Sequence, residues 1–386
     1  MSRDLSQKLS LNDICRELGL LPQFLTDLAE NATKYYHSFE RPARSGGTRQ
    51  ICASQGRLKR FQRLLLDEFL SSFRMPGHVH GGVKNRSIAS NARPHVNHDV
   101  VISLDLSKFF NSVSTDKVKS VFTEFYCCDA EAVEILSKLT THSGCLPQGA
   151  PTSPHLANMA ALSLDEALQT CCLTAVGVEN FNYTRYIDDI TVSGGEALVE
   201  LLPEFDRLIV DAGFKRNEKK TRVLRQNTRQ WVTGVVVNKK LSPPKKILRD
   251  LRQHFYYCRK YGLEGHSDWI GMKPNRFLDK ISGVIGYIRV TKPELADDLT
   301  FEFHAATPRA SSSEEEFTLM IIKKIIDNES TASFDYDSTE TVAAFSAIQL
   351  DQRGLLNVRG YELSPKRGWR TYTFSRISYV SELRDV

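Results

Sequence analysis

The sequence predicts an α+β fold. Helices and strands alternate up to about residue 237, and a mostly helical region and then short strands follow. Hydrophobic residues make up 41% and charged residues 25% of the chain, which is typical of globular proteins and not of collagen, coiled coils or disordered chains. Because the 386 residues exceed a typical domain of about 100–200 residues, we expect two to four structural units.

Apolar residues at three- and four-residue spacing predict the helices. The predicted helical segments are residues 1–36 (as short amphipathic helices), 53–74, 129–141, 154–173 and 198–212. Ser153 and Pro154 fit the N-cap and the first helical position of the segment that follows them. Pro203 either kinks the last segment or marks its true start.

Alternating, β-branched and aromatic residues predict the strands. Residues 100–106 alternate apolar side chains, and residues 183–192 and 230–237 are rich in β-forming types. Residues 306–317 contain a run of serines and a run of glutamates, so they are the best candidate for a linker.

Charge is strongly segregated along the chain, although the net charge is only +5. Residues 41–63 contain seven Lys or Arg and no acidic residue, and residues 215–260 contain fifteen basic residues against two acidic ones. Residues 294–340 reverse the sign, with twelve acidic residues against three basic ones. A solvated helix face usually mixes signs, so the basic blocks favour binding to a phosphate backbone.

The sequence gives no indication of export or of membrane insertion. The first residues lack an apolar signal region, and no apolar run approaches the ~18 residues that a spanning helix needs. The eight cysteines include no C-x-x-C pair, so we interpret them as reduced thiols. We therefore expect a cytoplasmic protein without a membrane partner.

Two acidic sites lie among apolar strand residues. Asp105 ends one predicted strand, and Asp188 and Asp189 form a pair between β-forming residues. Asp105 could be a turn or helix cap, and the pair could be a hairpin turn. Crowded carboxylates repel one another unless a divalent cation neutralises them, and Mg²⁺ commonly uses one or two carboxylates plus substrate phosphates. These acids therefore predict a magnesium site.

Three segments, in this order, resemble the reverse transcriptase family. Residues 105–110 (D-L-S-K-F-F) resemble the first catalytic segment of that family. Residues 146–154 (L-P-Q-G-A-P-T-S-P) match its L-P-Q-G-x-x-x-S-P loop, and residues 186–189 (Y-I-D-D) resemble its Y-x-D-D box.

Two shorter matches resemble the bacterial retron subgroup of that family. Residues 91–95 (N-A-R-P-H) match the N-A-x-x-H signature, and residues 232–234 match the V-T-G triplet. The resemblance covers roughly residues 40–300, and no motif is recognised after about residue 305.

The resemblance implies a right-hand polymerase fold with fingers, a palm, a helical thumb and a C-terminal extension. The implied regions are residues 1–40 (N-terminal helical segment), 41–144 (fingers, with the palm strand and catalytic Asp at 100–113), 145–238 (palm), 239–305 (thumb) and 306–386 (extension of unknown role).

The resemblance also assigns catalytic roles. Asp105 and Asp188 are expected to ligate two Mg²⁺ ions, together with the backbone carbonyl of Leu106. Because successive strand residues point to opposite faces, Asp189 is expected to sit differently and to contribute less directly.

Several residues are expected to contact the nucleotide. Phe110 matches the family's steric gate against a ribose 2′-OH, with core packing beside Phe109 as the alternative. Gln148 would line the incoming nucleotide and Gly149 would allow close backbone approach, unless this segment is simply a turn. Lys220 resembles the lysine near the leaving pyrophosphate, and a solvated or backbone-binding lysine is the alternative.

Basic residues of the first block are expected in the fingers, over the triphosphate. Arg49 and Lys59 are the main candidates, and Arg44 and Arg57 remain open.

The remaining assignments concern RNA and primer. Trp231, Val232, Thr233 and Gly234 resemble the strand pair that grips the primer end. Asn91 and His95 are either ordinary caps or satisfied polar groups, or they contact the cognate RNA.

A retron-type enzyme would copy a structured noncoding RNA into RNA-linked DNA (msDNA), within an antiphage defence system that includes an effector protein. The expected partners are that RNA, its DNA product, deoxynucleoside triphosphates and the effector. The alternatives are another bacterial reverse transcriptase, intron-like or defence-associated, and a catalytically idle RNA-binding scaffold.

Overall fold

The computed structural model divides into two compact units, Met1–Ser242 and Pro243–Val386. It describes residues 8–42, 48–307, 313–337, 339–350, 356–365 and 367–383. Arg44, one of the open fingers candidates, and the serines at 311 and 312 of the predicted linker lie outside the described residues.

The first unit begins with two short amphipathic helices, as the sequence predicts. They are α1 (Leu11–Leu18) and α2 (Pro22–Glu30). Ser10 caps α1 through a capping box with Asp13, and the helix buries one apolar face.

The helix predicted over residues 53–74 begins later than expected. Its start is occupied by a hairpin of β1 (Tyr36–Pro42) and β2 (Thr48–Ser54), whose register places Ala53 opposite His37. The helix α3 (Gly56–Leu64) follows, and a π-helical turn and a 3₁₀ turn continue it to residue 72. Ala53 therefore belongs to a strand, because its backbone is paired across the hairpin.

A four-stranded antiparallel sheet forms the centre of the first unit, with strand order β4-β5-β3-β6. Its strands are β3 (Val100–Asp105), β4 (Phe181–Tyr186), β5 (Asp189–Gly194) and β6 (Arg222–Arg225). A separate two-residue pair, β7 (Trp231–Val232) and β8 (Val235–Val236), follows. The predicted strands at 100–106, 183–192 and 230–237 are thus confirmed.

Helices pack around this sheet and bury most of its apolar residues in one core, whereas Val101 joins Ala92, Val232 and Val235 in a second, smaller core. They are α4 (Ile88–Ala92), α5 (Phe109–Ser112), α6 (Thr115–Glu124), α7 (Ala130–Thr140), α8 (Ser153–Ala160), α9 (Leu162–Val176) and α10 (Leu202–Asp211). The prediction at 129–141 is confirmed as α7, with Asp129 as its N-cap.

Two details of the later helices differ from the sequence predictions. Ser153 is the first residue of α8 and not its N-cap, because its hydroxyl donates to the carbonyl of Pro147 at 2.7 Å. The single helix predicted over residues 154–173 is two helices, interrupted at Ala161. Pro203 lies in the first turn of α10 and so marks the start of that helix.

The second unit contains three helices and then a helix with a sheet. The helices α11 (Lys245–Trp269), α12 (Pro274–Arg289) and α13 (Pro293–Ala306) share a core that includes Phe255, Phe277 and Phe303. The next helix is α14 (Ser313–Asp327). The predicted linker at 306–317 is therefore too long, because both of its ends are helical.

The sheet of the second unit has five antiparallel strands in the order β12-β11-β10-β9-β13. They are β9 (Thr331–Tyr336), β10 (Thr339–Leu350), β11 (Leu356–Ser364), β12 (Gly368–Thr373) and β13 (Ile377–Leu383). Helix α14 covers one face, where Ile322 and Ile325 join Phe334 and Phe345 in a small core.

Among the described helices, none has the length and apolar content required to cross a bilayer. All eight cysteines are free thiols.

Candidate active site

Three carboxylates meet where β3 ends beside the β4–β5 turn. Asp105, the last residue of β3, lies directly opposite Asp189, the first residue of β5. The turn between β4 and β5 carries Asp188, and its carbonyl accepts a hydrogen bond from the Leu106 amide at 2.9 Å. Ile187 in this turn has φ +59°, a left-handed backbone conformation that β-branched residues rarely adopt. The hairpin therefore brings together acids that are 83 or more residues apart in sequence.

The environment of this cluster opposes full ionisation. Burial raises the pKa of Asp188, and the charge of Asp105 adds to that effect. Burial, followed by the charges of Asp188 and Asp105, raises the pKa of Asp189 to about 7. Near neutral pH the cluster therefore retains protons unless cations compensate its charge.

Lys220 supplies one such cation. Its ammonium group donates to Asp105 at 2.7 Å, and this hydrogen bond raises the pKa of the lysine. The Asp105 side chain is 8% exposed and that of Lys220 is 46% exposed, so the pair lies at the edge of solvent. The segment that carries Lys220 is attached to β3, because the amide of Asn217 donates to the carbonyl of Asp105 at 2.7 Å.

The donor set fits Mg²⁺. Carboxylate oxygens are hard ligands, and a divalent cation would offset both the burial and the mutual repulsion that raise the pKa values of Asp188 and Asp189. Within the part of the chain that the structure describes, no group of three His, Cys, Asp or Glu side chains is arranged to hold a metal ion by itself. Mg²⁺ commonly takes one or two protein carboxylates and completes its coordination with water and substrate phosphates.

A buried ion pair supports the turn from the other face of the sheet. Arg185, fully buried on β4, donates to both carboxylate oxygens of Asp165 at 2.7 Å. It also donates to Asn158 Oδ1 at 2.8 Å and to the carbonyl of Ile187 at 3.2 Å. Burial alone would raise the pKa of Asp165, but the Arg185 guanidinium and further hydrogen bonds hold it below its ordinary value. The Asp188 turn thus rests on a fixed charge pair.

The loop before α4 presses against the same turn. The amide of Arg185 donates to the carbonyl of His78 at 2.8 Å, and the amide of His80 donates back to Arg185 at 2.7 Å. A Cβ on Gly81 would lie 2.6 Å from Ile187 Cγ1 and 2.7 Å from its backbone nitrogen, so only glycine fits there.

Sequence reasoning missed both of these supports. An arginine at an inward position of a buried strand, and the adjacent glycines at 81 and 82, were the available signals.

The basic candidates of the fingers lie on different elements. Arg49 is exposed on β2, and its charge lowers the pKa of Asp188 against the effect of burial, so it acts on the carboxylate cluster. Lys59 is half-buried on α3, and Arg57 is exposed there.

Phe110 is half-buried in α5, whereas Phe109 is a core residue that stacks on Phe214 at 5.6 Å between ring centroids. Core packing is therefore mainly the role of Phe109. The accessible part of the Phe110 ring remains compatible with a gate.

The Pro-Gln-Gly loop is attached to β2. The carbonyl of Gln148 accepts from the Cys52 amide at 2.9 Å. Gly149 has φ +135°, and a Cβ there would lie 3.0 Å from Ile51 Cγ2 and 3.1 Å from the Cys52 carbonyl oxygen. The close approach that Gly149 allows is therefore to the backbone of β2.

Asn91 and His95 are both fully buried, which corrects the hypothesis that their side chains contact RNA. The two ring nitrogens of His95 bond Ser193 Oγ at 2.7 Å and Thr184 Oγ1 at 2.8 Å. Burial lowers the pKa of His95 to about 3, so the ring is neutral. His95 is therefore a satisfied polar group, and Asn91 is a structural one that is held to the sheet through its carbonyl, which accepts from Thr184 Oγ1 at 3.4 Å.

The β7–β8 hairpin docks on that segment. Thr233 and Gly234 form its two-residue turn with φ +46° and +87°, the backbone sign of a type I′ turn. Thr233 Oγ1 donates to the carbonyl of Ile88 at 3.3 Å and accepts from Asn91 Nδ2 at 3.4 Å. Val232 is buried, and half-buried Trp231 lies under the Arg222 guanidinium at 4.7 Å.

Comparison with known proteins supplies a family for this arrangement. Residues 40–237 match the family model of reverse transcriptase (RNA-dependent DNA polymerase). The retron Mx65 reverse transcriptase of Myxococcus xanthus is 32% identical over 302 residues, which cover 73% of this chain and 67% of that protein. The retron Ec86 reverse transcriptase of Escherichia coli is 30% identical over 218 residues, or 55% of this chain and 66% of that protein. The chain spans about two thirds of the length of these relatives.

Among solved structures, the telomerase of Candida albicans, determined with a fragment of telomeric RNA, aligns with 82% of this chain and 67% of its own. Its sequence identity is 9% and its TM-score 0.39, so the likeness is distant.

Proposed function

This chain belongs to the retron-type reverse transcriptases, and on that premise we propose that it synthesises DNA from deoxynucleoside triphosphates on a cognate structured noncoding RNA. Family membership and the mixed helix and strand content give the first unit the fold class of a right-hand polymerase. The observation that carries the proposal is the convergence of Asp105, Asp188 and Asp189 at one end of the sheet.

The reaction joins a primer hydroxyl to the α-phosphate of the nucleotide and releases pyrophosphate. Asp105 and Asp188, with the carbonyl of Leu106, would hold two Mg²⁺ ions, which when bound activate the attacking oxygen and neutralise the leaving group. Asp189, directly opposite Asp105, shapes the charge of the site.

Lys220 has a separate role at the leaving group. Because its side chain is 46% exposed, its ion pair with Asp105 can exchange for a substrate phosphate at small cost. We assign Lys220 Nζ to neutralise the departing pyrophosphate and to donate a proton to it.

The nucleotide would lie between the β1–β2 hairpin and the carboxylates. Arg49 and Lys59 would bind its phosphates, Gln148 would line its base and sugar, and Phe110 would exclude a ribose 2′-OH. The β7–β8 hairpin, including Trp231 and Gly234, would hold the primer end.

We further propose, as the resemblance to retron enzymes implies, that the RNA serves as both template and primer, so that the product is DNA branched from an RNA 2′-OH. We also propose a cytoplasmic location, an effector protein as partner, and a role in antiphage defence.

Sequencing of the nucleic acid that co-purifies with the chain tests this function. We expect RNA-linked DNA with the wild type and only RNA with Asp188→Asn. DNA without a branch would favour another bacterial reverse transcriptase, and RNA alone in both samples would favour an idle scaffold and contradict the proposal.

A further inference from the structure

One face of the sheet in the second unit carries exposed aromatic residues, and we call it the open face with reference to the described residues only. Helix α14 packs on the opposite face. On the open face, Tyr361 of β11 is 37% exposed and Trp369 of β12 is 61% exposed. Large aromatic rings left this accessible on a sheet usually have a binding partner.

These rings form an ordered group with an arginine. Tyr361 and Trp369 lie directly opposite each other in the register of β11 and β12, with ring centroids 5.8 Å apart at 83°. Arg359, two residues before Tyr361, lies over the Trp369 ring at 5.3 Å. Because alternate strand residues share a face, all three side chains point to the same side of the sheet. We call this group the β11–β12 platform.

The platform is cationic. Glu362 is the one carboxylate in β11 and β12, and it is only 4% exposed because it points to the opposite face. There it accepts hydrogen bonds from the Tyr372 hydroxyl and from Arg370 Nε, both at 2.8 Å. Its charge is therefore compensated, and Arg359 is the charged side chain of β11 and β12 on this side.

The acidic residues of the sheet lie elsewhere. Asp335 of β9 and Glu340 of β10 are paired with each other. Both lie outside the stretch of β10 that pairs with β11, which begins at Val342. They would repel a phosphate chain, so they limit an anionic ligand to the β11–β12 side.

We propose that the β11–β12 platform binds single-stranded nucleic acid, with bases stacked on Trp369 and Tyr361 and a phosphate held by Arg359. Flat aromatic rings accept any base, and an arginine beside them supplies the phosphate contact, which is the combination that single strands require. An acidic or neutral protein surface would leave the exposed rings without stacking partners. The site goes beyond the proposed polymerase function, because none of its residues belongs to the carboxylate cluster.

Binding to the full chain tests the proposal. The probe is a fluorescent oligouridylate of about 12 nucleotides, measured by anisotropy while an unlabelled RNA–DNA hybrid saturates the polymerase site. We expect Trp369→Ala and Tyr361→Ala each to weaken binding about tenfold. Arg359→Gln should reduce the slope of log affinity against log salt by about 0.7, the value for one phosphate contact to a single strand.

Tyr379→Ala is the matched control. Tyr379 is 86% exposed on β13, at the other edge of the same sheet, and lies outside the platform. Its removal should leave the affinity unchanged. An oligothymidylate probe distinguishes single-stranded RNA from single-stranded DNA as the ligand. Tighter binding of the uridylate assigns the site to RNA, and equal binding of both probes extends it to the DNA product.

Equal affinity of the wild type, Trp369→Ala and Tyr361→Ala would overturn the proposal and leave the face to a protein partner. An equal loss with Tyr379→Ala would also overturn it. If Trp369→Ala lowers the thermal midpoint, its loss of binding could come from unfolding. The salt dependence of binding by Arg359→Gln then tests the proposal, since that exposed side chain contributes little to packing, and an unchanged slope would overturn it.

Discussion

Two ion pairs lie beside the same catalytic turn and differ in exposure. Arg185–Asp165 has no exposed side-chain surface, whereas Lys220–Asp105 is 46% and 8% exposed. The register places Arg185 beside Ile190 and Leu104, on the face opposite to that of Asp105 and Asp189. The two pairs therefore support the turn from opposite sides of the sheet.

The difference in exposure assigns the pairs different roles. A buried pair cannot exchange partners, because separating it leaves an uncompensated charge away from water. A half-exposed pair is held weakly and exchanges partners readily. Arg185–Asp165 is thus a fixed support, and we propose that Lys220–Asp105 takes part in the reaction.

Breaking the buried pair should have the largest effect. Arg185→Met leaves Asp165 buried without its guanidinium partner and in contact with the Tyr183 hydroxyl and the His78 ring, so we expect a loss of about 3–5 kcal/mol in the free energy of unfolding, measured by urea titration. DNA synthesis should be lost with it.

Arg207→Met, which breaks a surface pair on α10, is the matched control and should cost less than about 1 kcal/mol. The double variant Arg185→Met with Asp165→Leu should recover stability without recovering activity, because the hydrogen bond to the Ile187 carbonyl is still missing. Full activity of the double variant would contradict a positioning role for Arg185.

Removing the exposed pair should affect rate more than stability. Lys220→Met should lower the single-turnover rate of nucleotide addition about 100-fold, the scale of a lost proton donor. The free energy of unfolding should change by less than about 1 kcal/mol. Lys219→Met, an exposed neighbour, should match the wild type in both measurements. A normal rate with Lys220→Met would make this lysine a surface charge without a catalytic role.

Gly81→Ala should move the turn without removing a charge. Its methyl group would overlap the backbone of Ile187, so the turn must shift, and we expect a rate about tenfold lower in the same assay. Gly77→Ala is the control, since a Cβ there meets nothing within 4 Å. Equal rates for both variants would show that the contact at Gly81 does not position Asp188.

The pH dependence of stability tests the buried histidine. The pKa of His95 is about 3 in the fold, below its ordinary 6.5, so the unfolded chain binds its proton first as pH falls. Its contribution to stability is complete above about pH 6.5 and is lost toward pH 3, by about 1.4 kcal/mol per pH unit.

His95→Gln should show a flatter decline over that range than the wild type. Because His80 and His155 have lowered pKa values as well, the difference between the two curves is the quantity to measure. Parallel curves would mean that His95 is protonated in the fold.

The sequence was sufficient for the parts of the site that short motifs specify. Asp105, Asp188 and the Gln148 loop lie in contiguous patterns, and the strands that carry the acids have clear alternation. Arg185 and Asp165 are 20 residues apart on different elements, so their contact depends on how α9 packs on the sheet. Gly81 depends likewise on a loop reaching the turn. The apolar spacing that predicts the helix over residues 53–74 begins only at Leu58, so it does not determine the state of Ala53, which the hairpin pairing places in a strand.

The rate of RNA-templated DNA synthesis by Asp105→Asn tests the central assignment most directly. The substitution keeps the shape of the side chain and removes its charge from the cluster. In Mg²⁺ we expect nucleotide addition at least about 1,000-fold slower than with the wild type, with the thermal midpoint little changed. A folded Asp105→Asn protein that synthesises DNA at the wild-type rate would contradict the assignment of this cluster as the polymerase site.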